Sequence, residues 1–229
     1  MMYWQEEDHD PERYVVPDNI VDLSFKVSCR ALPLDHAHAL SRALQDALPW
    51  LVQEPRAGIH LIHGAESGNG WIRPQGPDDV LYLSRRTRLT LRLPVGQVAA
   101  ARGIEGHTLD IGGHTLTLGA TCVRRLSALT TLFARHVVAD QGDDEAAFLE
   151  RAAQLLGERG IRVKKMMSGR CHIIRLPQAT LVTRSLMIDG LQVAESVRLQ
   201  QEGVGPGRLL GCGLFLPHKG IDPVSQPSN

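Results

Sequence analysis

A chain of 229 residues with zero formal net charge, 43% hydrophobic and 22% charged side chains has the composition of an ordinary globular protein, long enough for two modest domains. These proportions exclude a disordered chain. No apolar run approaches the roughly 18 residues that cross a bilayer, and the first ten residues are acidic where a signal peptide is basic and then apolar. A cytoplasmic protein with no membrane partner is expected. The four cysteines, Cys29, Cys122, Cys171 and Cys212, lack the paired spacing of zinc ribbons or redox dithiols. They are expected to be reduced packing residues, with no metal site and no cofactor.

The zero net charge conceals an uneven distribution. Residues 1–20 carry six acids and one arginine, residues 21–150 carry fourteen acids and thirteen bases, and residues 151–229 carry five acids and eleven bases. The C-terminal third is therefore the basic part, and a phosphate backbone responds to local charge more than to the whole-molecule sum.

In chain order, residues 1–20 read as an acidic extension interrupted by Pro11 and Pro17. Residues 21–27 alternate apolar and polar with period two, the mark of a half-buried strand. After Pro33, Asp35 is a candidate N-cap, and Ala37, Leu40, Ala43, Leu44, Ala47 and Leu48 follow at helical spacing up to Pro49. Strands are expected at 59–62, 80–83 and 88–93 with a loop at 64–70, then a short helix at 95–102 and strands at 109–111 and 114–118. A second cycle has a strand at 130–138, a helix at 143–156, strands at 172–174 and 181–188, a helix at 191–201 and a last strand at 214–216. Both cycles follow the split βαβ plan. The expected class is α+β, two tandem ferredoxin-like (RRM-like) domains at 21–118 and 119–217, with a tail at 218–229.

The segment 203–213 holds five glycines, Gly203, Gly205, Gly207, Gly211 and Gly213, with Arg208 among them. Glycine lets backbone approach a ligand closely and turn N–H groups into an anion-binding concavity, and Arg208 offers a guanidinium fork for phosphate. A dinucleotide-binding loop follows a strand and opens a helix, whereas this one follows a helix and precedes a strand. The order disfavours a nucleotide-cofactor enzyme.

A glycine-rich loop between the last helix and last strand of a ferredoxin-like domain resembles the signature of the repeat-associated (RAMP) RNA-binding superfamily of CRISPR systems. With residues 195–200 before it and Phe215-Leu216-Pro217 after it, the chain resembles the Cas six endoribonucleases, in particular the subtype named after myxobacteria. Leu34-Asp35-His36, Gly58-Ile59-His60, residues 132–135 and Arg184-Ser185-Leu186 match as well. The resemblance implies a protein that cuts the repeats of precursor CRISPR RNA into guide RNAs and stays attached to them beside other effector-complex subunits. The competing expectation is a guide-RNA-binding subunit that does not cut.

Metal-free RNA cleavage needs a group that removes the 2′-hydroxyl proton, and it leaves a 2′,3′-cyclic phosphate; histidine suits the task near neutral pH. His36 is the first candidate, at the start of the first helix, where the resemblance also places a catalytic histidine. His38 is the second, on a different side of that helix. His60 and His63 flank a strand end without a third metal ligand, and His60 is expected to pack against or hydrogen-bond the loop at 64–70, with the role of base or acid as its alternative. The stretch 162–170 reads as a loop whose Lys164, Lys165, Ser168 and Arg170 suit phosphate contacts, and Arg184 joins them through the matched segment. Aromatic residues are only 4%, too few for a broad base-stacking platform.

Overall fold

The computed structural model describes residues 14–63 and 79–218. The first half contains β1 (Ile20–Ser28), β2 (Ala31–Pro33), α1 (Ala37–Ala47), β3 (Gly58–His60), β4 (Val80–Tyr82), β5 (Arg88–Pro94), α2 (Val98–Arg102), β6 (Thr108–Ile111) and β7 (His114–Arg125). The second half contains β8 (Leu132–Val138), α3 (Glu145–Glu158), β9 (Lys165–Leu176), β10 (Ala179–Asp189), α4 (Val193–Glu202) and β11 (Leu216–Pro217). The sheets run β3-β5-β1-β7-β6 and β11-β8-β10-β9, antiparallel throughout. Without the β6 hairpin, both are the same four-strand ferredoxin-like sheet, with the first and third strands central.

Alternation makes the first core. Val21, Leu23 and Phe25 of β1 and Leu89, Leu91 and Leu93 of β5 face Leu40 and Leu44 of α1. Each fully buried side chain of this size contributes about 1.5–3 kcal/mol. The second core gathers Leu132, Ala134 and Val137 of β8 with Phe148, Ala152 and Leu156 of α3 and Leu199 of α4. A smaller apolar cluster, Ala37, Ile174 and Cys212 with Leu61, Val138 and Leu210 around it, joins the two halves.

Several expectations require correction. Residues 80–82 do not enter the first sheet but pair with β2 in a separate ribbon, Leu32 opposite Leu81, with Pro33 ending its strand. The 95–102 helix begins as a 3₁₀ turn at Val95–Gln97 and is helical only from Val98. β7 continues to Arg125, so the first sheet runs past the boundary drawn at 118. Asp35 does not cap α1; its carboxylate accepts from the Arg175 backbone N–H at 3.1 Å, across to β9. Helix α3, by contrast, is capped by Asp144, which accepts from Ala147 N at 2.8 Å. The largest change concerns 162–170, where β9 starts at Lys165 and runs twelve residues. Its alternation is masked because it is an exposed edge strand with polar side chains on both faces. The expected loop at 64–70 lies outside the described residues. Among the described residues no helix is long and apolar enough to cross a membrane.

Candidate nucleic-acid interface

All five glycines of the 203–213 segment have positive φ, between +66° and +86°, so the loop needs glycine at each turn. Packing adds a second demand at three of them. A Cβ on Gly213 would lie 2.1 Å from the Val204 carbonyl oxygen, one on Gly203 2.3 Å from the Gly213 oxygen, and one on Gly211 2.5 Å from Leu61. The loop thus closes on itself, Val204 N–H donating to Gly213 O at 3.2 Å, and Gly213 N–H donates to His136 O on β8 at 2.7 Å. At Gly205 a Cβ meets nothing within 4 Å. Gly205→Ala should therefore cost only the left-handed backbone, about 1–2 kcal/mol, and Gly213→Ala distinctly more. Denaturant unfolding of the two variants checks this, and equal losses would contradict the closed-loop account.

Two arginines hold the stems of this loop. Helix α4 leaves its last carbonyls without helical partners. The Arg208 guanidinium donates to Glu202 O (2.7 Å) and Gln201 O (3.1 Å) there, and to Arg56 O (2.8 Å) and Ala57 O (3.3 Å) in the first domain. Four of its five N–H groups are occupied, and burial lowers its pKa to about 10. Arg208, expected as a phosphate fork, thus braces the two domains. Arg92 of β5, 1% exposed, does the same from the other side. Its Nε and Nη2 donate to the Asp22 carboxylate, both at 2.8 Å, and its Nη1 donates to Gln200 O (2.9 Å) and Phe215 O (2.7 Å), which bracket the glycine-rich loop. Burial opposes ionisation of Asp22, but the guanidinium prevails and holds the carboxyl well below the usual range. His60 Nε2 lies 3.7 Å from the same carboxylate, too far for a hydrogen bond. The polar face of β1 and β5, which alternation alone assigns to solvent, is therefore a domain interface.

Helix α1 separates the two candidate histidines. His36 is its N-cap residue, 3% exposed. Its Nδ1 lies 3.0 Å from Pro33 O and 3.2 Å from Leu34 O, and its Nε2 accepts from Ile62 N–H at 3.2 Å. One nitrogen must donate and the other accept, so the ring is neutral with its proton on Nδ1, and burial holds its pKa below the ordinary value. Both nitrogens are committed to backbone, an arrangement that staples α1 to the chain after β3. His38, partly exposed, opens onto a cleft of about 880 Å³ between the domains. Ser41, Arg42 and Gln45 share its face of α1 at three-, four- and seven-residue spacing. The opposite wall is Pro177 and Gln178, the two-residue turn between β9 and β10, together with Gly205, Pro206 and Gly207.

The fold brings His38, Gly205, Gly207 and Arg208 together at one cleft and leaves Lys164, Lys165, Ser168, Arg170 and Arg184 apart from it. Lys165 starts β9 opposite Asp189, with Nζ and carboxylate 3.9 Å apart. Leu176, which ends that strand, lines the cleft. At about 3.3 Å per residue this places Lys164 and Lys165 roughly 35 Å away along the strand. Arg170 is exposed midway, and Ser168 turns a buried, unpartnered hydroxyl inward. Arg184 Nη2 donates to Asp143 O at 3.2 Å beside the start of α3. Sequence reading overlooked Arg92 and the Ser41–Gln45 face of α1; the seven-residue spacing from His38 was the available signal for the latter.

Two ferredoxin-like domains closed on each other by a glycine-rich loop, with a histidine-bearing helix across the cleft, define the class of architecture. The family model described as "Cas6 Crispr" matches residues 21–220, and the chain belongs to the Cas6 family. It is 36% identical over 197 residues to the CRISPR-associated endonuclease Cas6 of Myxococcus xanthus (strain DK1622), covering 86% of this chain and 81% of that protein. Among solved structures it resembles the CRISPR-associated protein Cas6 with a TM-score of 0.61 at 10% identity, covering 87% of this chain and all of the other. A Cas6-related protein from Pyrococcus furiosus follows with a TM-score of 0.58 at 11% identity, covering 86% and 97%. At these identities the structural likenesses bear on fold alone.

Proposed function

We propose that this protein is a repeat-specific endoribonuclease that cuts precursor CRISPR RNA into guide RNAs without a metal ion, leaving 2′,3′-cyclic phosphate ends, and remains with its product among effector-complex subunits. Family membership and the endonuclease name of the Myxococcus relative support the class of activity. The observation that carries the site is the opening of His38 onto the same cleft as Gly205 and Gly207. In this reading His38 takes the proton of the attacking 2′-hydroxyl, and the loop backbone at Gly205 and Gly207 cradles the scissile phosphate. Arg42, one turn along α1, adds positive charge to the cleft. Gly203, Gly211 and Gly213 shape the loop. Lys164, Lys165, Arg170 and Arg184 contact a more distant part of the same RNA through phosphates, with Ser168 beside them. Incubation of cognate repeat RNA with excess protein in EDTA tests this: cleavage with a cyclic phosphate end is expected. Intact RNA that stays bound would favour the guide-binding subunit, which shares the loop and basic strand but lacks the chemistry.

A further inference from the structure

The cleft wall formed by α1 and the turn after it changes character along its length. At the N-terminal end of the helix stand His38 and Arg42. Gln45 lies seven residues beyond His38 on the same face, about 10 Å along the axis. Past it the cleft is lined by Val52 of the 3₁₀ turn Pro49–Gln53 and by Glu54 and Pro55, which follow that turn. Among the described residues Glu54 is the only carboxylate lining the cleft. A carboxylate repels a phosphate, so this end does not continue the phosphate track that starts at His38. It suits a nucleobase instead, which is uncharged, flat and rimmed by hydrogen-bonding groups.

The polar side chains at this end present acceptors. Gln45 Nε2 donates to the buried Ser41 hydroxyl at 2.7 Å. That bond holds the amide in one orientation and leaves Oε1 without a hydrogen bond among the described residues. The Glu54 side chain is 19% exposed. Its Oε1 accepts from the Arg56 backbone N–H at 3.1 Å and lies 3.6 Å from Arg56 Nε, while its Oε2 makes no hydrogen bond among the described residues. The surface around these acceptors is apolar. Val52 is 64% exposed, and Pro55 and Pro206 line the same cleft. Arg208 ties the glycine-rich loop to the carbonyls of Arg56 and Ala57, which fixes the opposite wall close to Glu54.

We propose that this end of the cleft is a base-reading subsite for guanine, in a nucleotide within about two of the scissile phosphate, with Gln45 and Glu54 as its specificity-determining residues. This rests on the RNA-processing reading above. The Watson–Crick edge of guanine offers adjacent N1–H and N2–H₂ donors to two acceptors. Adenine and cytosine offer one amino group beside a ring-nitrogen acceptor, and uracil offers one N–H between two carbonyls. With any of these three, an acceptor of the protein is left facing an acceptor of the base. A site built to hydrogen-bond its substrate rejects one that leaves its polar groups unpaired.

The test is single-turnover cleavage of repeat RNAs in which each of the two nucleotides on either side of the cut is varied in turn through guanine, inosine, adenine, cytosine and uracil. At one of these positions the guanine substrate should be cut at least about tenfold faster than the uracil one. Inosine, which lacks the N2 amino group, should fall between them. Gln45→Leu and Glu54→Gln should each slow the guanine substrate to within about threefold of the uracil substrate without slowing the latter. A purely structural role would slow all five substrates equally and keep the preference. Wild-type rates that show no preference at any of these positions, a preference for another base over guanine, or a guanine preference that both variants keep overturns the proposal and leaves the nuclease reading intact. No cleavage of any repeat overturns the nuclease reading and the subsite with it.

Discussion

Replacing His38 with alanine is expected to slow repeat cleavage by about 10²–10⁴-fold while leaving RNA affinity within about twofold and the melting temperature unchanged. The side chain is partly exposed in an open cleft, and its removal leaves no buried group without a partner. His36→Ala should behave in the opposite manner. It strips Ile62 N–H of its acceptor and empties a ring held on both edges, so a loss of about 1–3 kcal/mol of stability is expected from the orphaned polar groups. Single-turnover cleavage and denaturant unfolding on both variants separate chemistry from folding. Cleavage at the wild-type rate by His38→Ala, with loss of cleavage in a His36 variant that remains folded, would reverse the assignment.

Sequence pattern reached the two ferredoxin-like cycles because their cores alternate cleanly: Val21, Leu23 and Phe25 lie on one face of β1, and Leu40 and Leu44 on one face of α1. It also reached the glycine-rich loop, since positive φ at five positions leaves a compositional trace. It reached only residues 172–174 of β9, whose exposed edge carries polar residues on both sides. Nor did it distinguish the uses of a polar residue. Arg208 looks like a phosphate-binding cation in one dimension, yet it spends its donors on backbone carbonyls of both domains, and Arg92, which the pattern passes over, divides its own between the Asp22 carboxylate and the carbonyls of Gln200 and Phe215. His36 and His38 differ by two positions and by which side of a helix they occupy. The helical period predicts that difference, but only the neighbouring chain at Ile62 decides which of them is buried.

The interface polar pair makes the second large prediction. Arg92→Met leaves the Asp22 carboxylate largely buried without its partner, and breaking such a pair is expected to cost about 3–5 kcal/mol of stability. The same substitution orphans the carbonyls of Gln200 and Phe215, where the chain enters and leaves the loop region. Adding Asp22→Leu removes the stranded charge, and replacement of a buried ion pair by apolar side chains is often neutral for stability. Much of the lost unfolding free energy should therefore return in the double variant. Affinity for repeat RNA should not return, because the guanidinium that ties the carbonyls of Gln200 and Phe215 together is then gone. A persistent deficit of at least about tenfold, roughly 1.4 kcal/mol, is expected by anisotropy in a protein whose denaturation midpoint is near that of the wild type. Recovery of affinity along with stability would mean that the loop keeps its shape through its own glycines and the Arg208 brace, and that Arg92 serves the fold without serving the binding surface.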